Sequence, residues 1–335
     1  MADPAQLDPT MWTGPLHAGL ASPFAGLPIV APEAGALRQC HAGAAIYGLP
    51  FDAGSVGRPG ASHGPRAIRE ISYHHLTYCA TLDFDLAAVL RPVDCGNCQI
   101  VPGNAERTFA RAQADLGEII DAGALPVMFG GDHSVTIPAV RALRDRLADP
   151  GLVLLDTHLD TATHIAGEPL NHCCPIARAV DAGFDPAKIV LVGISGWMNP
   201  RSELDYCRQH GIAVIWLEQI WEHGTDWAVA RARQISRAAD DGVYLSIDID
   251  CLDSAHVAGT CTPTPGGLSI REGLELVRGL ARGGLAGVDL VETAPTLDNT
   301  PTSALVAGRL ALEAMAYHAG AGELHPVDTL AAPGD

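Results

Sequence analysis

Short apolar runs rich in β-branched residues recur along the chain, and stretches with helical periodicity separate them. The runs predict strands that start at Ala44, Leu125, Gly151, Lys188, Ile212, Gly242 and Leu285. The periodic stretches predict helices over residues 104–121, 136–147, 200–210, 226–239, 270–282 and 302–318. Because the runs are mostly apolar throughout rather than alternating, they are typical of strands buried on both faces. The pattern therefore predicts an α/β fold in which helices cover both faces of a parallel sheet.

The chain is long enough for one large domain, since it has 335 residues and 47% of them are hydrophobic. No internal repeat and no low-complexity linker interrupts the series of strands and helices. We expect a single domain over residues 41–320, an N-terminal extension over residues 1–40 and a C-terminal tail over residues 321–335.

An acidic composition restricts the partners. The formal net charge is −18 and only 21 residues are Lys or Arg, which argues against a nucleic-acid partner and suits a small cationic substrate. The first residues, MADPAQLDPTMW, lack the basic and apolar segments of a secretory signal, and no apolar stretch of about 18 residues predicts a membrane span. A cytoplasmic protein is expected. The nine cysteines are then reduced thiols, and Cys95 and Cys98 form a turn with incidental thiols rather than a redox or zinc pair.

Three segments place metal-ligating residue types where predicted strands end. The segment LLDTHLDTA carries Asp156, His158 and Asp160 at alternate positions, so that on an extended backbone their side chains share one side. The segment YLSIDIDCLD presents Asp248 and Asp250 in the same way. The segment FGGDHSVT sets His133 at a strand-to-helix corner, where a lone histidine is as often a structural hydrogen-bonding group as a ligand. In a parallel sheet all of these ends meet at one edge.

This set of residues predicts a centre with two divalent ions. Four aspartates and two histidines are too many ligands, and too rich in oxygen, for a single catalytic zinc. The four positive charges of two divalent ions would balance the negative charges of the four carboxylates. Oxygen and imidazole ligands suit Mn²⁺ and also admit Ni²⁺, Co²⁺ or Zn²⁺. Because paired ions make a bound water acidic, the expected reaction is hydrolysis.

Two further residues are candidates for substrate chemistry. Glu292, in DLVETAP at the end of the last predicted strand, would be a counter-ion for a guanidinium; the alternative is a surface glutamate that caps a helix. His172, in LNHCCPIARAV, is a candidate to carry a proton to or from a leaving amine.

Together these motifs resemble the ureohydrolase family, which includes arginases, agmatinases and the related guanidino-acid, guanidine and biguanide hydrolases. The resemblance extends from GLPFDAGSVGRPGASHGPRAIRE at Gly48 to VETAP at Val291, and it includes Ser134, Ser246 and the segment GTCTPTPGG over residues 259–267. It implies a three-layer αβα fold of the arginase/deacetylase type with an eight-stranded parallel sheet. It also implies that the two ions are Mn²⁺, with Ni²⁺ as the alternative. The family further implies that the protein assembles as a trimer or hexamer.

The resemblance assigns a role to each candidate residue. One ion would be held by His133, Asp156, Asp160 and Asp248, and the other by Asp156, His158, Asp248 and Asp250. Glu292 matches the guanidinium-binding glutamate and His172 the proton shuttle of the family. We expect hydroxide to attack the guanidinium carbon while Asp160 helps to stabilise the adduct, so that urea and an amine form.

Several positions depart from the family pattern, and they leave the substrate open. Thr157 replaces an alanine, Cys173 and Cys174 replace Gly-Thr after His172, Ser254 replaces a proline and Cys261 replaces a glycine. Agmatine, guanidinobutyrate, guanidine, alkylguanidines and biguanides are all candidates. The apolar loop with Trp197 and Met198 favours a small or alkyl-substituted guanidine. Arg178 and Arg201 are the candidates to bind a substrate carboxylate, but a surface role is favoured for both because they start helices.

Two other classes of function compete with this hypothesis. The altered segment after His172 also suits a non-catalytic or partner-dependent subunit in a hetero-oligomer with a paralogous chain. A deacetylase on the same fold would keep one metal ion and need paired histidines in its pocket. The surplus aspartates argue against it.

Overall fold

The structure is a computed structural model that describes residues 22–237 and 241–322. Residues 1–21, most of the predicted tail and the last two residues of the predicted helix 226–239 lie outside the described residues. The strands in the described ranges are β1 (Ala44–Gly48), β2 (Tyr78–Cys79), β3 (Phe84–Asp85), β4 (Pro92–Asn97), β5 (Leu125–Phe129), β6 (Gly151–Leu155), β7 (Ile189–Ile194), β8 (Ala213–Trp216), β9 (Val243–Asp248) and β10 (Gly287–Val291).

The helices alternate with these strands. They are α1 (Ala34–Gln39), α2 (Gly64–Ile71), α3 (Leu86–Val89), α4 (Ala105–Asp121), α5 (Thr136–Arg144), α6 (Pro175–Ala182), α7 (Arg201–His210), α8 (Leu217–His223), α9 (Thr225–Ser236), α10 (Ile270–Ala281) and α11 (Thr302–His318). The six longer helices are those that the periodicity predicted. The sequence pattern missed α1, α2, α3, α6 and α8, because a helix of at most eight residues has too few turns to show a period.

Eight parallel strands form one sheet in the order β4-β1-β5-β10-β9-β6-β7-β8, and β2 and β3 form a separate antiparallel pair. The predicted α/β fold with an eight-stranded parallel sheet is confirmed. Successive side chains of each strand enter opposite cores: Val153 and Leu155 join one, and Leu152 and Leu154 join the other. Helices α2 and α8–α11 cover the first face, and α1 and α4–α7 cover the second. The sheet therefore has a helical layer on each side.

The apolar pattern predicted seven strands and missed β4 at the edge of the sheet. This strand begins with a proline and contains Asp94, which is 1% exposed. The buried carboxylate is paired with Arg69 of α2, whose Nε and Nη2 atoms lie 2.8 and 2.9 Å from the two Asp94 oxygens. A charge inside a strand is stable here only because a residue of another element neutralises it. The residues around Asp94 in the sequence do not indicate that Arg69 is its partner.

The order of the strands positions the functional residues. Strands β5, β10, β9 and β6 are neighbours at the centre of the sheet, and the predicted ligands and Glu292 follow their carboxyl ends. The chain passes from one half of the sheet to the other between β5 and β6. Open α/β sheets form their sites at the carboxyl edge beside such a reversal of strand order.

None of the nine cysteines, all of which lie in the described ranges, takes part in a disulfide. Cys95 lies in β4 and Cys98 follows it, and both thiols are buried. Among the helices of the described ranges, none is both long and apolar enough to cross a membrane.

Residues that precede β1 also pack on this sheet. The Phe24 side chain is fully buried, and its ring meets that of Phe129 edge-on with 5.1 Å between the centroids. The Phe24 N–H donates to an Asp94 oxygen at 2.8 Å, and Leu37 of α1 is fully buried in the second core. Residues 24–39 thus contact both layers, and the predicted domain boundaries stay predictions.

We expect Phe24→Ala to lower the free energy of unfolding by about 3–5 kcal/mol, because it removes a fully buried ring from a packed core. Val89→Ala is the matched control: that side chain is exposed, so its loss should change stability by less than about 0.5 kcal/mol. Urea unfolding at one protein concentration measures the free energy of unfolding of both variants. Equal stabilities of the two variants would show that the segment before β1 is not part of the domain core.

Candidate active site

The first cluster forms around the imidazole of His133, in a 3-10 turn that follows β5. Its Nδ1 atom faces three carboxylate oxygens. They are Asp156 Oδ2 at 3.2 Å, Asp160 Oδ2 at 3.0 Å and Asp248 Oδ2 at 3.1 Å. All four side chains are buried. One nitrogen and three oxygens therefore converge in the way that the ligands of a single cation do.

The second cluster shares a residue with the first. His158 Nδ1 lies 3.3 Å from Asp156 Oδ1 and 3.2 Å from Asp250 Oδ2. The two oxygens of Asp156 thus belong to different clusters, since its Oδ2 faces His133. A carboxylate divided in this way is suited to bridge two metal ions.

Turns, rather than an extended backbone, bring these side chains together. The expectation that Asp156, His158 and Asp160 continue a strand was wrong, because β6 ends one residue before Asp156 and Asp160 has a φ of +50°. Likewise, β9 ends at Asp248, and Asp250 lies in a 3-10 turn. The same local bond shapes both turns: Asp156 Oδ1 accepts the N–H of His158 at 2.7 Å, and Asp248 Oδ1 accepts that of Asp250 at 2.8 Å. Each aspartate side chain thereby folds the backbone that follows it.

The electrostatics of the two clusters call for positive charge. Burial raises the pKa of Asp248 well above its usual range, and the nearby carboxylates of Asp250 and Asp156 raise it further. Burial also raises the pKa of Asp250 to about 6. His133 Nδ1 and Asp156 Oδ2 are buried and have no hydrogen-bond partner, although each faces the other. Divalent ions would satisfy these atoms and remove the repulsion, so the residues present fit a pair of metal ions.

Glu292 lies beside the first cluster, directly after β10, with a φ of +60° that side chains rarely adopt. Its Oε1 accepts the backbone N–H of His133 at 2.9 Å and lies 2.9 Å from His172 Nδ1. Its Oε2 is buried and has no partner. One oxygen is therefore held in place, and the other is available to a cationic ligand.

His172 lies in the connection between β6 and α6, under the loop of residues 52–62. Its Nε2 accepts the N–H of Val56 at 3.1 Å, so the ring proton of the neutral imidazole is on Nδ1 and points to Glu292. Its backbone N–H donates to Gly54 O at 3.2 Å. A Cβ on Gly54 would lie 2.8 Å from Ser134 Oγ, so glycine allows the loop to approach the site this closely.

The cysteines after His172 have different surroundings. Cys174 is fully buried, and its Sγ donates to Asn171 Oδ1 at 3.4 Å. The same oxygen accepts the backbone N–H of Cys173 at 3.0 Å. The Asn171 side chain thus orders the turn that presents His172, and the Cys174 side chain is part of the protein interior.

The loop of residues 195–199 is attached to the metal-ligand segment. Thr157 Oγ1 lies 2.9 Å from Ser195 Oγ, and Asn199 Nδ2 donates to Thr157 O at 3.0 Å. Trp197 is fully exposed and Met198 is 65% exposed. This loop therefore displays an apolar surface that is tied to the residues of the site.

Sequence reasoning missed Asp289, a fully buried residue of β10. Its oxygens accept three hydroxyls: Ser246 Oγ at 2.6 Å, Tyr244 OH at 2.6 Å and Thr136 Oγ1 at 2.7 Å. Because Ser246 gives its proton to Asp289, its oxygen is free to accept Nε2–H of His133, which lies 2.9 Å away. This relay places the lone pair of His133 on Nδ1, toward the carboxylates. In the sequence, Asp289 is the single acidic residue of the apolar run GVDLV, and this was the signal that could have identified it.

Two more buried carboxylates support the site. Asp132 accepts Ser134 N–H at 3.0 Å, and burial together with nearby Glu292 raises its pKa to about 7. Glu203 of α7 accepts Thr161 N–H at 3.0 Å, and burial raises its pKa to about 7 as well. Glu203 lies in a helix in which most residues are polar, so no pattern in the sequence distinguishes it from a surface residue.

Comparisons with known proteins identify the family to which the chain is similar. The arginase family model matches residues 42–317. The chain is 37% identical over 273 residues to an agmatinase of Enterobacter sp. (strain 638), covering 80% of this chain and 85% of the relative. It is 34% identical over 306 residues to a guanidinopropionase of Pseudomonas aeruginosa, covering 89% and 94%. The structure resembles proclavaminate amidino hydrolase from Streptomyces clavuligerus, with a TM-score of 0.81, 31% identity and coverage of 91% and 99%.

We expect Ser246→Ala to weaken binding of the ion beside His133 by about 10–100-fold, because the imidazole loses the acceptor that fixes its tautomer. Thr136→Val is the matched control, since Thr136 also donates to Asp289 and has no bond to the His133 ring. Competition with a chelator measures the affinity of each ion in both variants. Equal metal affinities in the two variants would contradict the relay.

Proposed function

This chain belongs to the arginase family, and we propose that it is a ureohydrolase that cleaves a guanidino C–N bond of a small cationic compound with two divalent ions, releasing urea and an amine. The observation that carries the proposal is the Asp156 carboxylate divided between two ligand clusters, next to a glutamate with one partnerless buried oxygen. The first feature suits paired ions and the second suits a guanidinium.

The metal ions would be held by the two clusters. We assign His133, Asp156, Asp160 and Asp248 to one ion, and Asp156, His158, Asp248 and Asp250 to the other. Bound there, two divalent ions supply Lewis acidity and make a water acidic enough to attack at neutral pH. Their four positive charges match the four carboxylates. We propose Mn²⁺, with Ni²⁺ as the alternative, since oxygen and imidazole ligands suit both.

Glu292 would hold the substrate cation. Its Oε1 is fixed by two donors, so its Oε2 has a defined direction before the substrate enters. In a buried site, a carboxylate oxygen that meets a guanidinium N–H forms a strong, charge-assisted hydrogen bond. The reacting carbon is then presented beside the first cluster, since Glu292 contacts the backbone of His133.

His172 and Asp160 would act on the reacting atoms. When Nε2 of His172 gives up its bond with the Val56 N–H, the imidazole can take up a proton there and release it to the departing nitrogen, which a guanidinium needs because its amine is a poor leaving group. Its bond to Glu292 keeps the ring next to the substrate cation. Asp160 belongs to the first cluster, where it would help to stabilise the tetrahedral adduct.

The arginines near the site favour a substrate without a carboxylate. Arg58 donates to the carbonyl of Cys261, Arg178 pairs with Asp181 at 2.8 Å and Arg201 lies 3.5 Å from Asp205. Each of the three guanidiniums is therefore engaged with the protein itself. Together with the exposed apolar residues of the 195–199 loop, this supports guanidine or an alkyl-substituted guanidine over a guanidino acid.

A partner-dependent subunit is the alternative function, and its basis is the Cys173–Cys174 segment beside His172. The bond between His172 and Glu292, and the complete ligand clusters, support catalysis by this chain instead. A homotrimer or homohexamer and a cytoplasmic location stay predictions.

We expect the purified chain, loaded separately with Mn²⁺ and Ni²⁺, to release urea from guanidine, an alkylguanidine or agmatine. The kcat/KM should be at least about tenfold higher than for 3-guanidinopropionate or 4-guanidinobutyrate, because Arg58, Arg178 and Arg201 already bond to the protein itself. A guanidino acid as the best substrate would refute the argument from the arginines. No urea from any substrate, with two ions bound per chain, would favour the partner-dependent subunit.

We expect Glu292→Gln to lower kcat/KM by about 100–1,000-fold, because the substrate cation loses its counter-ion. Both metal ions should stay bound, since Glu292 belongs to neither ligand set. Glu70→Gln, a change at an exposed glutamate, is the control for the loss of one charge. Metal content and urea release are measured on all three proteins. Loss of an ion from Glu292→Gln would assign the residue to the metal centre instead.

A further inference from the structure

One thiol enters the candidate site from a segment that carries no metal ligand. Cys261 is 4% exposed, and its Sγ lies 3.2 Å from Ser55 Oγ. Arg58 fixes the backbone here by donating to the carbonyls of Cys261 and Thr260, at 3.2 and 2.9 Å. A Cβ on Gly57 would lie 2.7 Å from the sulfur, so this glycine makes room for it. The thiol is therefore held against the loop of residues 52–62.

Cys261 also lies beside the two residues proposed to act on the substrate. His172, Cys261 and Glu292 each offer one ligand atom, and these three atoms lie within 4.8 Å of one another. All three residues are buried. Glu292 Oε2 has no partner, and His172 Nε2 has only the Val56 N–H. A buried thiol, imidazole and carboxylate thus face one another, and the carboxylate has one oxygen without a partner.

This donor set differs from the two clusters in one chemical respect. The clusters consist of carboxylates and imidazoles, whereas the third set contains sulfur. Thiolate, imidazole and carboxylate are the usual ligands of Zn²⁺, and three of them with one open position form a common zinc geometry. Mn²⁺ prefers oxygen, so the three sites differ in the ions that they select.

We propose that Cys261, His172 and Glu292 form a third metal site, which takes up Zn²⁺ or Co²⁺ and thereby inhibits the enzyme. The inhibitory part rests on the proposed function, because it requires His172 and Glu292 to serve catalysis. The ion would engage Glu292 Oε2, the oxygen that the substrate cation needs. On binding, the thiol proton passes to solvent, His172 exchanges a hydrogen bond for a metal bond and no redox change occurs.

The first test uses Co²⁺, because a cobalt–thiolate bond produces a charge-transfer absorption band and requires no turnover. Protein loaded with two Mn²⁺ ions per chain is titrated with Co²⁺, and Mn²⁺ and Co²⁺ are counted after removal of free metal. We expect one Co²⁺ per chain, the thiolate band and no loss of Mn²⁺. The band should be absent in Cys261→Ser and present in Cys40→Ser, the control at an exposed cysteine outside the site.

The second test measures inhibition of urea release by Zn²⁺. Cys261→Ser should raise the inhibition constant at least about tenfold, and Cys40→Ser should leave it within about twofold of the parent protein. Cys261→Gly serves in place of Cys261→Ser if the serine variant does not fold.

Failure of the proposed function would show as no urea from any substrate, while the cobalt band still reports on the site. A thiolate band that persists without Cys261, release of Mn²⁺ by Co²⁺, or equal inhibition of all variants would overturn the proposal.

Discussion

Four carboxylates buried at one edge of a sheet repel one another, and this repulsion is the constraint on which the rest of the site depends. Asp156, Asp160, Asp248 and Asp250 are all nearly inaccessible to solvent, so water cannot screen their charges. The apolar strands before them provide that dry environment, and the central positions of β5, β6, β9 and β10 bring their ends together. Such an arrangement is stable when cations lie between the carboxylates, which couples metal binding to the stability of this edge.

Backbone conformation beyond the strand ends decides the fine geometry. Asp160 and Glu292 both have positive φ angles, a conformation that costs energy for residues with side chains. Both residues face the same small region, one as a metal ligand and the other as the proposed substrate counter-ion. Strain at these two positions is consistent with function, because it aims carboxylates that an unstrained turn would direct elsewhere.

Hydrogen-bond direction sets the state of both histidines that border this region. Asp289, acting through Ser246, directs the His133 proton to Nε2, and the Val56 N–H directs the His172 proton to Nδ1. The first ring is thereby prepared to bind a metal ion and the second to contact Glu292. Two rings with opposite tautomers, close together, show how groups outside the ligand set determine what the site can do.

The sequence by itself determined the class of fold, the candidate ligands and Glu292, because a buried apolar run that ends in acids or histidine is a local signal. It made His172 a candidate through the resemblance of the segment around it to the family motif. It could not reveal the edge strand β4, where the Asp94 charge depends on Arg69, or the support that Asp289 and Glu203 give to the site. It also could not show that Asp156 divides its oxygens between two clusters. Only the tertiary structure decided these points, since each depends on contacts between residues far apart in the chain: Ser246 lies 113 residues from His133, and Glu292 lies 120 from His172.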